Sequence, residues 1–212
     1  MTAAIGEYPP YTSTTDTNAR LAEEIVITSY QAVGYEVELR RVPWKRAYEE
    51  VKSGKSDITF PLIRTPERDD DFLYSNELLV TQEVFLFHVD ANFSWSKLDD
   101  LKSYNIGASQ GYAHVKLLTD ADVAVQVALN DSLNIEKLLK NRIDAFPIEE
   151  KVASYLLSAS SSEFKENISV HPRPLFKNQT FILAGKALSE RSKRLLDKFN
   201  EGLAIIKQKW AI

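Results

Sequence analysis

The chain has 212 residues, 44% of them hydrophobic and 26% charged, so it is long enough to bury a core and ordinary for a globular protein. A net charge of −4 without a long basic stripe speaks against nucleic acid as the main partner. The lack of cysteine excludes disulfides, thiolate metal sites and a cysteine nucleophile, and no apolar run is long enough for membrane insertion.

The chain opens at "MTAAIG" as if inside a first strand, as a chain with its leader removed would. "GEYPPYTS" (6–13) follows. Its prolines make it a poor strand, and they stiffen a loop whose aromatic faces can then be held toward a ligand at little entropic cost. Residues 18–33 read as a helix with Leu21, Ile25 and Tyr30 near one face and Gly34 as its terminator. "YEVELRRV" (35–42) alternates as a strand does, and Pro43 suits the first turn of the helix "WKRAYEEVKSG", ended by Gly54. "DITF" (57–60) reads as a short buried strand, Thr65 to Glu67 as a helix start, and "EVFLFHVD" (83–90) as a strand rich in aromatic and β-branched residues.

Strand and helix go on alternating. "SYNIGA" (103–108) is a strand, residues 111–118 a short helix, and "VAVQVA" (123–128) a strand. Asp131 caps "SLNIEKLLK", and Asn141 suits its left-handed end. "IDAF" (143–146) is a strand, residues 149–159 a helix, the serines 158 to 162 a loop, "FILAG" (181–185) a last strand, and residues 189–209 a long helix. Strands separated by such helices imply an α/β fold with parallel sheets and crossover helices. Two long apolar strands can carry the chain out of one lobe and back. This predicts a discontinuous first lobe, 1–86 with 182–212, and an inserted second lobe, 87–181, with a ligand cleft between them.

Chemistry singles out a few residues. Arg68 carries a permanently charged fork that matches a carboxylate, although it could equally pair with the acids Asp69 to Asp71. Glu149 follows a strand end, where it could hold an ammonium or serve as a first-turn acid favoured by the helix dipole. "GASQGYAH" joins a strand to a helix whose free N–H groups could hold an anion, with Gly111 serving a positive φ or a close backbone approach. Tyr8, Tyr11, Trp44, Phe60 and Tyr112 could form an aromatic box. For Phe60, inside a buried strand, core packing is the favoured reading. The histidines 88, 114 and 171 are scattered without ligand spacing, and read as single surface or half-buried residues with no metal site.

"GEYPPY", "WKRAYEEVKSGKSD", "TPER", "IGASQGY" and "NRIDAF" occur in an order and at a spacing that resembles the bacterial extracellular solute-binding proteins of family 3, the polar amino-acid receptors of ABC importers. The resemblance covers essentially the whole chain and implies a two-lobed periplasmic binding protein fold. It also implies a periplasmic or otherwise exported location, no cofactor, and a monomer that delivers its ligand to a membrane permease. By the same resemblance Arg68 grips a ligand α-carboxylate, Glu149 takes the α-ammonium, Tyr8 and Tyr11 cover the ligand, and Trp44 forms a wall. The turn Gln110–Gly111 offers the backbone N–H groups of Tyr112 and Ala113. This chain departs from the pattern in a segment one residue shorter between Asp57 and Thr65, in Pro61, which removes a backbone donor, and in lacking a threonine after Gly111. A non-enzymatic receptor leads. A dehydratase of the prephenate or arogenate type on the same scaffold, and a sensor domain of a membrane kinase or cyclase, are the alternatives.

Overall fold

The computed structural model describes residues 1–210. They fold as two compact units, residues 1–81 with 178–210 and residues 82–177. The chain passes from one to the other inside two long strands, β5 (Leu79–His88) and β10 (Phe176–Gly185).

The first unit holds β1 (Thr2–Ile5), α1 (Leu21–Gln31), β2 (Glu38–Arg41), α2 (Trp44–Lys52) and β3 (Ile58–Ile63). It continues with α3 (Pro66–Asp69), β4 (Phe72–Tyr74) and α8 (Ser189–Trp210). Its strand order is β2-β1-β3-β10, with β1 parallel to both neighbours and β10 antiparallel to β3 and β4. Ala4, Ala47, Val51, Phe72 and Leu183 pack beneath α2. On the α1 side, Tyr30 stacks obliquely on Phe199 and donates its hydroxyl to the Leu195 carbonyl at 3.1 Å.

The second unit holds β6 (Ile106–Ser109), α4 (Ala113–Asp120), β7 (Val125–Ala128) and α5 (Asp131–Leu139). After them come β8 (Ala145–Glu149), α6 (Glu150–Ala159), α7 (Ser162–Asn167) and β9 (Ile168–Val170). Its order is β5-β8-β6-β7. The run β8-β6-β7 is parallel, and β5 is antiparallel to β8 and β9. Phe85, Trp95, Leu101, Ile106, Leu118 and Ala145 are central to its core.

Several local readings change. The first helix starts at Leu21, not at residue 18, because Asn18 donates its N–H to the Asp16 carboxylate in a turn before it. Asn130 caps α5 in place of Asp131, accepting the Leu133 N–H at 3.0 Å. The serine run contains a cap, since Ser161 accepts the Phe164 N–H and opens α7. The last strand starts at Phe176, five residues before the apolar stretch, because its first half alternates exposed and half-buried positions. Gly34, Gly54, Gly111 and Asn141 all have positive φ, as read from their places.

Candidate functional site

The residue types at Gly6–Ser13 make a tight loop. Tyr8 N–H donates to Thr12 O at 2.9 Å, Thr12 N–H returns a bond to Tyr8 O at 3.0 Å, and the Thr12 hydroxyl ties back to Gly6 O. Glu7 accepts from the Ser13 hydroxyl at 2.6 Å and from Thr14 N–H at 2.8 Å. These bonds hold its carboxyl below the ordinary range although burial opposes them. Trp44, the first residue of α2, lays its ring on Gly6, where any Cβ would collide, and donates Nε1–H to Glu7 O at 3.2 Å. Buried Glu23 secures the far side of the loop, taking Arg41 as a bidentate partner at 2.9 and 2.7 Å and the Ser13 N–H at 2.9 Å.

The loop is therefore stiff, but its tyrosines are not equivalent. Tyr11 is 1% exposed and stacks on Tyr8 at 5.4 Å, so it is an interior support, and Tyr8 and Trp44 keep accessible faces. Phe60 is 0% exposed in the middle of β3. It is a core residue without a face to offer a ligand, which corrects its place among the candidates.

Arg68 sits in the single turn α3, which Thr65 and Pro66 open. Its guanidinium donates to the Ile63 carbonyl at 2.6 Å, and partial burial pulls its pKa below the ordinary value. The nearby acids are occupied by other partners. Asp69 holds Arg64 at 2.9 Å and 3.0 Å, and Asp71 holds Lys52 at 2.7 Å and the Tyr48 hydroxyl at 3.2 Å. Among the described residues no carboxylate lies within ion-pair distance of Arg68. Arg64 is exposed and lies over the Tyr74 ring at 5.1 Å, a surface role. A half-buried cation without a counter-ion is costly, and the Ile63 carbonyl is the one hydrogen-bond partner among the described residues that offsets this cost for Arg68.

In the second unit the parallel strands β6, β7 and β8 each end in a turn that starts a helix, the edge at which α/β sheets bind ligands. Gln110 and Gly111 are exposed there, with Gly111 at φ +82°. That left-handed residue swings Tyr112 N–H back to Ser109 O at 3.3 Å. The Tyr112 amide is thus spent inside the turn, against the expectation that it faces a ligand anion. Ala113, exposed at the first position of α4, belongs to the turn whose N–H groups have no intrahelical acceptor.

Glu149, 4% exposed, is the N-cap of α6, accepting the Val152 N–H at 2.9 Å, and the first-turn acid is Glu150 in its place. Ile106 lies opposite Ala145, so Glu149 and the turn after Ser109 leave the sheet at the same edge. Glu83, in register with Glu149 across β5 and β8, is also buried.

Sequence reasoning passed over the groups behind this edge. His114 is 0% exposed, not a surface or half-buried histidine, and its Nδ1 lies 3.2 Å from Glu83 Oε2. Ser109 Oγ donates to Asp131, and Asn134 Nδ2 donates to Ser109 Oγ at 3.0 Å. Their only signal was position: a serine at a strand end, a histidine at i+5 and an aspartate opening the next helix but one. Among the described residues no group of three or more histidines and acids could hold a metal.

No curated protein sequence matches the chain. Solved structures do match its fold. The amino acid ABC transporter substrate-binding protein AbpA of Streptococcus pneumoniae, bound to L-arginine, aligns with a TM-score of 0.75 at 16% identity, over 99% of this chain and 89% of that one. An ancestral arginine-binding protein bound to arginine aligns at 0.76 and 22%, over 98% and 92%. A histidine kinase sensor domain with similarity to periplasmic binding proteins aligns at 0.80 and 17%, over 99% and 91%. At these identities the likeness establishes the two-lobed periplasmic binding protein fold. Residues 2–211 match the model of the bacterial extracellular solute-binding proteins, family 3, and the chain belongs to that family.

Proposed function

We propose that the chain is an extracytoplasmic receptor for a small zwitterionic solute of the amino-acid class, without catalytic activity, and that it serves an ABC importer. The observation that carries this reading is Arg68, a half-buried guanidinium with no carboxylate of the described residues within ion-pair distance, while Asp69 and Asp71 beside it are bonded to Arg64 and Lys52. In this reading Arg68 takes the solute carboxylate and Glu149 its ammonium, with Tyr8 and Trp44 as apolar walls and the Gln110–Ala113 turn as a polar one. Micromolar affinity asks for only about 8 kcal/mol, within reach of two charge-assisted clusters and a ring contact. Family membership and the arginine-bound neighbours support the solute class.

Ser109, His114 and Asp131 have the composition of a hydrolytic triad but not its wiring. The serine hydroxyl donates to the aspartate, while the imidazole accepts the serine's backbone N–H. That supports binding over catalysis. A sensor role is the second reading, favoured by the kinase sensor domain among the structural neighbours.

The test is calorimetry with an amino acid found by thermal-shift screening and with its deaminated analogue. Glu149→Gln keeps the cap acceptor and removes the charge, so it should weaken the amino acid by about tenfold or more and spare the analogue. Equal weakening of both would leave Glu149 a helix cap only.

A further inference from the structure

We infer that His114 is the positioning residue of the turn that opens α4, with Glu83 fixing its tautomer. Nε2 accepts the Ser109 N–H at 3.1 Å, so it carries no proton. The ring proton therefore sits on Nδ1 and points to Glu83 Oε2 at 3.2 Å. One buried imidazole thus joins the end of β6 to β5 across the start of α4.

The rest of the turn closes on the same ring. Tyr112 stacks on His114 with centroids 5.3 Å apart and planes 27° apart. Its hydroxyl donates to Asp131 Oδ2 at 3.3 Å, and the other oxygen of Asp131 accepts the Ser109 hydroxyl. Ser109, His114, Tyr112 and Asp131 form a closed circuit around residues 110–113. None of its links is a backbone–backbone bond of a helix or sheet, so without them the turn has only the φ of Gly111 and three backbone bonds to define it. A turn held before the solute arrives loses less entropy on binding. Glu83 acts at one remove. It accepts a proton that must lie on Nδ1, and an acceptor of the same shape without charge does the same work. The inference deepens the receptor reading, on which its binding arm alone rests.

The experiment has a ligand-free arm and a binding arm. In ¹⁵N-labelled protein the His114 ring should show a protonated Nδ1 and a bare Nε2. Glu83→Gln should retain that signature, and Glu83→Met should lose it. Amide exchange at Ser109 should accelerate about tenfold or more in Glu83→Met and His114→Phe, with exchange in β1 and β3 unchanged. With L-arginine as probe, Glu83→Gln should bind within about twofold of the parent, and Glu83→Met about tenfold more weakly through faster dissociation. A proton on Nε2, or equal weakening by Glu83→Gln and Glu83→Met, overturns the inference, the latter because the charge of Glu83 would then itself act on the solute. If no amino acid binds the parent protein, the receptor reading fails, and the tautomer and exchange measurements decide the positioning role by themselves.

Discussion

A single guanidinium separates two ways of using an arginine. Arg64 and Arg68 lie four residues apart, yet Arg64 is spent on Asp69 at the surface while Arg68 is half-buried with a backbone carbonyl as its hydrogen-bond partner. Arg68→Ala should weaken solute binding by about 3–5 kcal/mol, because a desolvated carboxylate would lose its partner. Arg68→Lys keeps the charge but not the planar fork, and should fall between the two. Calorimetry on the three proteins checks the order, and a lysine variant as weak as alanine would mean that geometry alone carries the site. The motif "TPER" made the turn α3 legible, because its threonine and proline predict a helix start, while the carboxylate-binding role of Arg68 came from the family resemblance alone. His114 was not legible, since its role depends on a strand 31 residues earlier and on a backbone amide five residues before it. No local pattern encodes either partner. Phe60 was read as core from its place inside a buried strand, although an aromatic near a binding motif also entered the list of ligand candidates.

At the scale of elements, the helices were read from periodicity and glycine stops, but their packing was not. Gly202 illustrates what the pattern hides. It sits inside α8, where glycine costs about 1 kcal/mol relative to alanine, so propensity alone favours replacing it. A Cβ there would sit on the Ser29 carbonyl oxygen of α1, which is backbone and cannot rotate away. Gly202→Ala should therefore lower stability by about 1–3 kcal/mol in urea unfolding, the overpacking term outweighing the gain in propensity. Gly34 is the control. It has φ +79° with nothing near a built Cβ, so Gly34→Asn, which tolerates the left-handed region, should change stability by less than about 1 kcal/mol. If Gly202→Ala is neutral, α1 and α8 are not fixed at that crossing. The short elements β4, α7 and β9 escaped the sequence because three to six residues hold too few periods to show.

For the whole molecule, the order of five weak motifs and the alternation of strands and helices sufficed to identify family and fold, since both are properties of long stretches. The distribution of charge had to be seen in the structure. In the first unit Glu50 is buried against its ionisation, yet Arg46, Lys55 and Arg40 outweigh burial and hold its pKa at about 2. Asp57 is likewise held low by Arg191 against burial, and Asp71 by Lys52. Each of these carboxyls has a folded pKa below its unfolded one, so the stability they contribute is present above about pH 4.5 and is lost as pH falls below it. In the second unit the His171 pKa is lowered too, but for a base this disfavours the charged form. Burial lowers its pKa from 6.5 and the like charge of Arg173 adds to this, outweighing the opposing contribution of the Arg173 N–H bond. A histidine depressed on folding costs nothing above its unfolded pKa, and its penalty grows as pH falls through 6.5. The second unit should therefore begin to lose stability as pH falls through 6.5, while the first stays unchanged until below about 4.5. Single-tryptophan variants retaining only Trp44 or only Trp95 report the two units separately, Trp95 lying 6.1 Å from the His171 ring. Thermal unfolding followed by fluorescence should show the Trp95 transition falling first on acidification, and His171→Phe, which keeps a ring and cannot titrate, should abolish that early fall. Coincident transitions at every pH, or an early fall that survives His171→Phe, would place the acid sensitivity elsewhere.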